Sequence, residues 1–256
     1  QLYKIIHKIF KINQLRGFNM KNILLMIVFS TLAFSQTYNM QIQIGVKDGV
    51  RIADFEKAMM QHNKAHATDL GAATTYQIIN GPDAGDYIRM PKSIFTSADM
   101  IDAVYNEWEN HEPVPYDKFD GKMVEGRNGT VFYTLRPDLS YNPQVKTWKY
   151  IRQSKWNVRQ GGQSSAESIF KLANEIRDEL GSDEHFVCMV SNTGQPFNEY
   201  VFVSGHDTLS EALDQSAFLT LLGEMSKRMP DWESTWGQSA WNGISQVSVH
   251  RPDLSN

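Results

Sequence analysis

Two histidines with helical spacing, His62 and His66 in the segment HNKAH, are the residues of this chain best suited to chemistry. A separation of four residues places both imidazoles on one face of a helix, one turn apart. Imidazole ligates metal ions and haem iron and moves protons near neutral pH. A zinc or copper ion held by such a pair needs a third ligand, and Asn63 stands where a zinc protease has glutamate. We therefore predict His62 and His66 as candidate catalytic residues, and we predict no metal site.

The helix that must position this pair is predicted from Ile52 to Leu70, because four side chains recur along one helical stripe: Phe55, Met59, His62 and His66. A similar stripe occurs later in the chain. Aligning the two at an offset of 114 residues pairs His62 with Ile176 and His66 with Leu180. One helix thus has imidazoles where the other has aliphatic side chains. The alternative is that both rings are structural and lie at the helix edge.

Further candidates for contact with a ligand are aromatic or lie beside the histidines. Met59 shares their stripe, and Tyr76 and Tyr87 lie on the strands that follow. In the segment MPDWESTWGQSAWNG, Trp232 and Trp236 are one turn apart. Aromatic side chains in such numbers line pockets, stack on sugars or seal subunit junctions, although core packing is their commoner role. We predict these five residues as ligand-binding.

A repeated phrase divides the chain into halves. VFYTLRPDLSYN spans residues 131–142 and SQVSVHRPDLSN spans residues 245–256, so that Arg136 and Arg251 are 115 residues apart. Both stretches alternate apolar and polar residues, as a half-buried strand does, and then break at Arg-Pro-Asp-Leu-Ser. Proline fixes the turn and aspartate caps it. We interpret both copies as strand terminators rather than catalytic Arg–Asp pairs.

Each half has the predicted order β-α-β-β-α-β. In the first half YNMQIQIGV begins the series and TVFYTLR ends it; in the second, WKYIRQSKWNVR begins it, one long helix covers Thr208–Arg228, and ISQVSVH ends it. A sheet of this kind has helices on one face only, so its other face must be covered. We predict an α+β fold in which two ferredoxin-like repeats, residues 36–145 and 146–256, pack as a pseudo-dimeric α/β barrel. The alternative is two ferredoxin-like domains without a common barrel.

This element order and its duplication resemble the dimeric α/β-barrel superfamily, which contains antibiotic-biosynthesis-monooxygenase-like domains. The resemblance covers roughly residues 38–256 and has no signature motif. The superfamily includes cofactor-independent oxygenases, haem-binding and haem-degrading proteins, and chlorite dismutases. The resemblance therefore implies a ligand pocket between sheet and helices, with haem as a candidate cofactor, and it constrains fold more than function.

The start of the chain is predicted to be removed on export. Residues 1–19 are interpreted as translated upstream sequence, with a basic amphipathic anchor as the alternative. Residues 20–35, MKNILLMIVFSTLAFS, have a basic start, an apolar run and small residues at 33 and 35, as a signal peptide does. Export would deliver the protein to the periplasm or the extracellular space.

The composition limits the partners of the mature chain. Without residues 1–35 the chain has 20 basic and 29 acidic residues, a net charge of −9. Nucleic acid and an anionic membrane surface are therefore excluded as partners. The only cysteine, Cys188, lies in an apolar run, cannot form an internal disulfide and is predicted to be buried and inert.

These observations predict an exported protein that binds a small molecule beside the helix of the first half, with oxygenase-like or haem-linked chemistry. A homo-oligomer is compatible with this prediction. The alternative is a non-catalytic envelope module whose aromatic loops bind a protein or a glycan.

Overall fold

The computed structural model describes residues 37–64, 72–92, 94–110, 123–125, 130–144, 146–193 and 198–255. In the first half its elements are β1 (Tyr38–Val46), α1 (Ile52–Asn63), β2 (Ala73–Ile78), β3 (Tyr87–Pro91), α2 (Ala98–Asn110), β4 (Val124–Glu125) and β5 (Thr130–Leu135). In the second half they are β6 (Tyr150–Val158), α3 (Gln163–Leu180), β7 (Val187–Thr193), β8 (Glu199–His206), α4 (Leu209–Leu213), α5 (Ser216–Arg228), α6 (Trp232–Ser239), β9 (Ala240–His250) and a 3₁₀ turn (Pro252–Leu254).

Eight antiparallel strands close into a barrel. The strand order is β3-β2-β9-β6-β8-β7-β5-β1, and pairing of β1 with β3 closes the ring, while β4 adds to β1 outside it. Strands of the same half are neighbours within each arc, and the arcs join where β2 pairs with β9 and β5 with β7. The α+β class and the common barrel are therefore confirmed, and separate domains are excluded as the arrangement.

The interior of the barrel is partly polar. Gln246 donates a hydrogen bond to Gln153 at 3.3 Å, and Gln153 donates one to Gln41 at 3.1 Å. Strands β6 and β1 are not neighbours in the sheet, so the bond between Gln153 and Gln41 crosses the lumen. The lumen also contains an apolar cluster of Val131, Tyr133, Met189 and Val201, in which the Tyr133 hydroxyl donates to the buried Glu199 at 3.1 Å.

The helices cover the outer face of the barrel. On α1, Phe55 and Met59 are fully buried against Ile44 and Tyr87. On α3, Ile169, Ala173 and Ile176 pack with Leu221 and Met225 of α5. The predicted stripes on the first helix of each half are thus core faces. Burial of Cys188 is also confirmed, and it raises the pKa of that thiol.

The predicted long helix over Thr208–Arg228 is interrupted. Helix α4 ends at Leu213 and α5 begins at Ser216, because the Asp214 carboxylate accepts a hydrogen bond from the Ser216 backbone N–H at 2.9 Å. The tryptophan segment, predicted as a loop, forms helix α6. On the first predicted helix, α1 is seen to Asn63, and His66 lies outside the described residues.

The two copies of Arg-Pro-Asp-Leu-Ser each attach to the opposite half. Arg136, after β5, pairs with Glu167 on α3 with a bond of 2.9 Å from Nη2 to Oε2. Arg251, after β9, pairs with Glu56 on α1. In each copy the arginine also binds the aspartate two residues later. The motif ends a strand, as predicted, and in addition it clamps the helix of the other half; we call each set of contacts a clamp.

The clamps correct the alignment of the two first helices. Asn63 on α1 donates to the Leu254 carbonyl, and Asn174 on α3 donates to the Leu139 carbonyl at 3.3 Å. Together with the glutamates at 56 and 167, these contacts give an offset of 111 residues, one helical turn less than 114. The residue of α3 that corresponds to His62 is therefore Ala173.

Candidate functional site

A cavity of about 980 Å³ lies between the barrel and the helices of the second half. Its floor is the outer face of β6, β8 and β9, and its walls come from α3, α5 and α6. This volume is at the upper end of the range that small-molecule sites occupy, about 300–1,000 Å³. The cavity is therefore the candidate ligand site among the residues that the structure describes.

One part of the cavity is aromatic. Trp156 of β6 meets Trp236 of α6 edge to face at 5.0 Å between ring centroids, and Phe170 of α3 lies 5.4 Å from Trp236. Phe202 of β8 contacts Phe170 at 4.7 Å. Phe218 of α5 also lines this region. Such rings offer flat apolar surfaces to a planar ligand.

The other part carries two histidines. His185 stacks on Trp148 at 4.7 Å and donates from Nε2 to the Gly205 carbonyl at 2.9 Å. His206, at the end of β8, lies 6.3 Å from His185 between ring centroids, and its Nε2 is 2.9 Å from the hydroxyl of Ser204. Burial, together with the charge of Arg152, lowers the pKa of His206 to about 4. His206 is therefore neutral at pH 7, the form that accepts a proton or binds a metal.

Arg152 stands beside His206 on the floor. It lies opposite Ser204 in the pairing of β6 with β8, and Nη1 donates to the Asp214 carbonyl at 2.7 Å. Burial lowers the pKa of its guanidinium. The second arginine of the cavity, Arg177, is paired with Glu184 at 2.8 Å.

The corresponding strand positions in the first half carry apolar side chains, of which Met40 is fully buried. Tyr87 pairs with Ile44 across β3 and β1, and Tyr200 pairs with Trp156 across β8 and β6. Both tyrosines donate to the clamp glutamates, at 2.7 Å in each case, so the two tyrosines and their strand partners correspond. By this register, Met40, Ile42 and Ile44 of β1 correspond to Arg152, Ser154 and Trp156 of β6. Met40 packs against Phe95 and Val104, whereas its counterpart Arg152 lines a cavity.

Of the predicted site residues that the structure describes, two line this cavity. Trp232 and Trp236 line it, both from α6. Met59 and Tyr87 are fully buried in the core beneath α1, and the Tyr87 hydroxyl donates to Glu56. Tyr76 donates to the Trp148 carbonyl at 3.3 Å, and burial raises its pKa to about 12. None of these three residues lines the cavity.

His62 is buried on α1, with 6% of its surface exposed, and does not line the cavity. His66 is outside the described residues. The imidazoles that do face the cavity, His185 and His206, were not predicted as site residues. Comparison of the first strands would have found the site, because Arg152 and Ser154 in RQSKW stand where MQIQI has Met40 and Ile42.

The described ranges lack two features, a cluster of metal ligands and a membrane-spanning helix. No group of three or more histidine, cysteine, aspartate or glutamate side chains there could hold a metal ion. Within the same ranges, none of the helices has the length and apolar character needed to cross a bilayer.

No protein-family model and no curated protein matches the sequence. Solved structures do match the fold. A protein from Fusobacterium nucleatum, described provisionally as a monooxygenase, has a TM-score of 0.55 and 10% identity over 85% of this chain and 93% of its own. Chlorite dismutase from Candidatus Nitrospira defluvii, in complex with imidazole, has a TM-score of 0.54 and 7% identity over 88% of this chain and 95% of its own. The chain therefore has the dimeric α/β-barrel fold that monooxygenase-like and chlorite dismutase-like proteins share.

Proposed function

We propose that this protein binds a small molecule with a planar, apolar body in the cavity of the second half. The observation that carries the proposal is the contrast between corresponding strand positions. Met40 on β1 is fully buried against Phe95 and Val104, whereas Arg152 and Ser154 on β6 line an open cavity. A cavity of about 980 Å³ with edge-to-face aromatic rings on one side and two imidazoles on the other is suited to such a ligand.

The test uses the neutral fluorescent probe 1-anilinonaphthalene and a variant that fills the cavity floor. Ser154→Phe places a ring where β1 has Ile42, on the face that lines the cavity. We expect the probe to bind saturably to the mature chain. In this variant we expect its affinity to fall by at least about tenfold, because the added ring occupies the aromatic part of the cavity. Thr220→Phe on the exposed face of α5 is the matched control. Equal binding by both variants would place the probe elsewhere and contradict the proposal.

We further propose that the chemistry at this site is oxygenase-like or haem-linked. The residues of the cavity fit haem in one respect: His206 is neutral at pH 7, and its Nε2 faces a hydroxyl that can rotate away. His185 is less suited, because its Nε2 donates to a carbonyl. When bound, haem supplies an iron centre for one-electron and oxygen chemistry. His206 would hold the iron.

Titration with haemin, followed by Soret absorption, tests this version. We expect a shifted, saturable band that His206→Ala loses and that a His62→Ala/His66→Ala double variant keeps. Loss of the shifted band in the double variant alone would place the iron at the first-half helix, as the sequence analysis predicts. If the Soret band shifts with none of these proteins, the proposal of haem is wrong. Binding of other planar molecules is then tested with the neutral probe.

The alternative function, an envelope module that binds a protein or a glycan through aromatic loops, has less support. Trp232 and Trp236 are on a helix and pack towards the cavity with Leu221 and Met225. Half-buried rings that pack on a core cluster offer a macromolecule less surface than a loop would.

Three further proposals concern export, duplication and oligomeric state. The signal-like residues 20–35 support export, to the periplasm or beyond, with residues 1–19 as upstream sequence. The paired clamps and the shared element order support an origin of residues 36–145 and 146–256 by duplication. A homo-oligomer is proposed on the resemblance alone.

A further inference from the structure

We infer that the ligand of the second-half cavity carries an anionic group that pairs with Arg152. This inference rests on the proposed function and specifies the class of ligand: a planar apolar molecule with a carboxylate, sulfonate or phosphate. The juxtaposition that supports it is a guanidinium with no carboxylate within salt-bridge distance, on the cavity floor and on the same strand as Trp156 of the aromatic part.

The donors of Arg152 are mostly unused. A guanidinium has five N–H donors in a planar fork that suits two acceptor oxygens at once. Within the described part of the chain, the one hydrogen bond of the Arg152 side chain is that from Nη1 to the Asp214 carbonyl, and no carboxylate lies within salt-bridge distance. The charges of Glu184 and Asp214 act on this guanidinium only from beyond salt-bridge distance, and burial still lowers its pKa. An anionic ligand in direct contact would offset that desolvation.

Among the described residues, four of the five acidic residues that line the cavity have partners other than Arg152. The Glu184 carboxylate accepts from Arg177 at 2.8 Å, and the Asp214 carboxylate caps α5. At the rim, Asp207 pairs with Lys146 at 3.0 Å and the Glu211 carboxylate accepts from the Thr208 backbone N–H in a capping box. These contacts direct the carboxylate oxygens to donors other than Arg152, so that the guanidinium lines the cavity without a direct ion pair.

The position is also specific to this half. Met40 occupies the corresponding place on β1, fully buried against Phe95 and Val104. An apolar side chain at a core position, such as Met40 on β1, avoids the free-energy cost of burying a charge. An arginine at this place is explained if its charge is used for binding.

The test compares two probes with the same aromatic body. 8-Anilino-1-naphthalenesulfonate carries a sulfonate, whereas 1-anilinonaphthalene is neutral. Both are titrated into the mature chain and into Arg152→Gln, with Lys149→Gln as control. Lys149 precedes β6, is exposed and does not line the cavity, so its replacement removes the same charge without touching the site.

We expect Arg152→Gln to lower the affinity for the anionic probe about tenfold or more and to change the affinity for the neutral probe by no more than about twofold. We expect Lys149→Gln to change neither affinity by more than about twofold. Unchanged binding of the neutral probe also shows that the variant is folded. Arg152→Lys, which keeps the charge but not the fork, is expected to fall between wild type and Arg152→Gln.

The outcomes separate the two proposals. If both probes bind, if Ser154→Phe blocks them, and if Arg152→Gln affects them equally or not at all, the cavity is a ligand site and the anionic inference is wrong. If the neutral probe fails to bind, or if Ser154→Phe has no effect on it, the proposed function fails and the inference fails with it. Selective loss of the anionic probe is the only result that supports both.

Discussion

At the scale of single residues, the clamps make stability depend on pH. Hydrogen bonding from Arg136, which outweighs the cost of burial, lowers the pKa of Glu167 below its ordinary value of 4.5. The folded state therefore prefers the carboxylate. This contribution to stability is complete above the pKa of the unfolded chain and is lost as the pH falls through the lower pKa of the folded protein.

We predict that Glu167→Gln lowers the free energy of unfolding by about 2 kcal/mol at pH 7, since a charge-assisted bond is replaced by a neutral one. The difference should shrink below about pH 4.5. Urea unfolding at pH 7, 5 and 3.5 measures it. Lys227→Gln, which breaks an exposed pair, should change stability by about 0.5 kcal/mol or less. A difference for Glu167→Gln that is constant with pH would contradict the account.

Residue-scale prediction from the sequence succeeded where a side chain follows its element's periodicity. Phe55, Met59 and Ile169 are core residues as the helical stripes require. The sequence did not predict Arg152 and His206 as cavity residues, because a cavity forms only where the helix that covers the sheet leaves a space. That space is set by packing between α3, α5 and β6, which the local pattern does not contain.

At the scale of elements, two strands of the cavity floor depend on glycine for close packing. A Cβ on Gly205 of β8 would come within 2.0 Å of the Trp148 ring, and one on Gly243 of β9 within 2.2 Å of the Trp156 ring. These glycines allow the tryptophans to lie flat against the sheet at the cavity edge.

We predict that Gly205→Ala destabilises the protein by about 1–3 kcal/mol, because the Trp148 ring must move. Gly223, on the exposed face of α5, has no atom within 4 Å of an added Cβ. Gly223→Ala should therefore stabilise by about 0.5–1 kcal/mol through helix propensity. Chemical denaturation followed by circular dichroism compares the pair, and equal effects of both variants would refute the close approach.

The proposed function of the floor strand β6 predicts a cost in stability. Arg152→Met/Ser154→Ile gives β6 the outward residues of β1. We predict that this double variant is more stable by about 0.5–2 kcal/mol, because a desolvated cation is replaced by apolar surface, while binding of both probes falls. Thermal unfolding and probe titration measure the two effects. A variant that is no more stable, or that binds as wild type does, would contradict this role for β6.

Element order was predictable because hydrophobic periods of two and of about 3.6 residues distinguish strands from helices. The break between α4 and α5 was not, since an apolar stripe continues through it and only the capping carboxylate of Asp214 marks it. The helix at Trp232–Ser239 was missed for a related reason. Its glycine and serine residues are typical of a loop, and packing of Trp236 on Phe170 outweighs them.

At the scale of the whole molecule, closure of the barrel couples the halves. Two strand pairs, β2–β9 and β5–β7, join them, and each clamp crosses from one half to the other. We predict a single cooperative transition on urea unfolding. Tryptophan fluorescence, which reports mainly on the second half because five of the six tryptophans are there, should give the same midpoint as far-ultraviolet circular dichroism. Separated midpoints would show that the halves unfold independently.

The barrel itself was predictable, since a sheet with helices on one face needs a cover and a second, similar sheet provides it. Which half holds the open cavity was not. The histidine pair pointed to the first half, whereas the side chains that leave a space, Arg152 and Ser154, are in the second.

The most direct test of the central claim is to map the bound neutral probe, 1-anilinonaphthalene, by amide chemical-shift changes in residues 36–256. The account predicts the largest changes on β6, β8 and α3, around Ser154, Phe202 and Phe170, with β1 and α1 unaffected. Changes centred on α1 near His62 would move the ligand site to the first half and contradict the account.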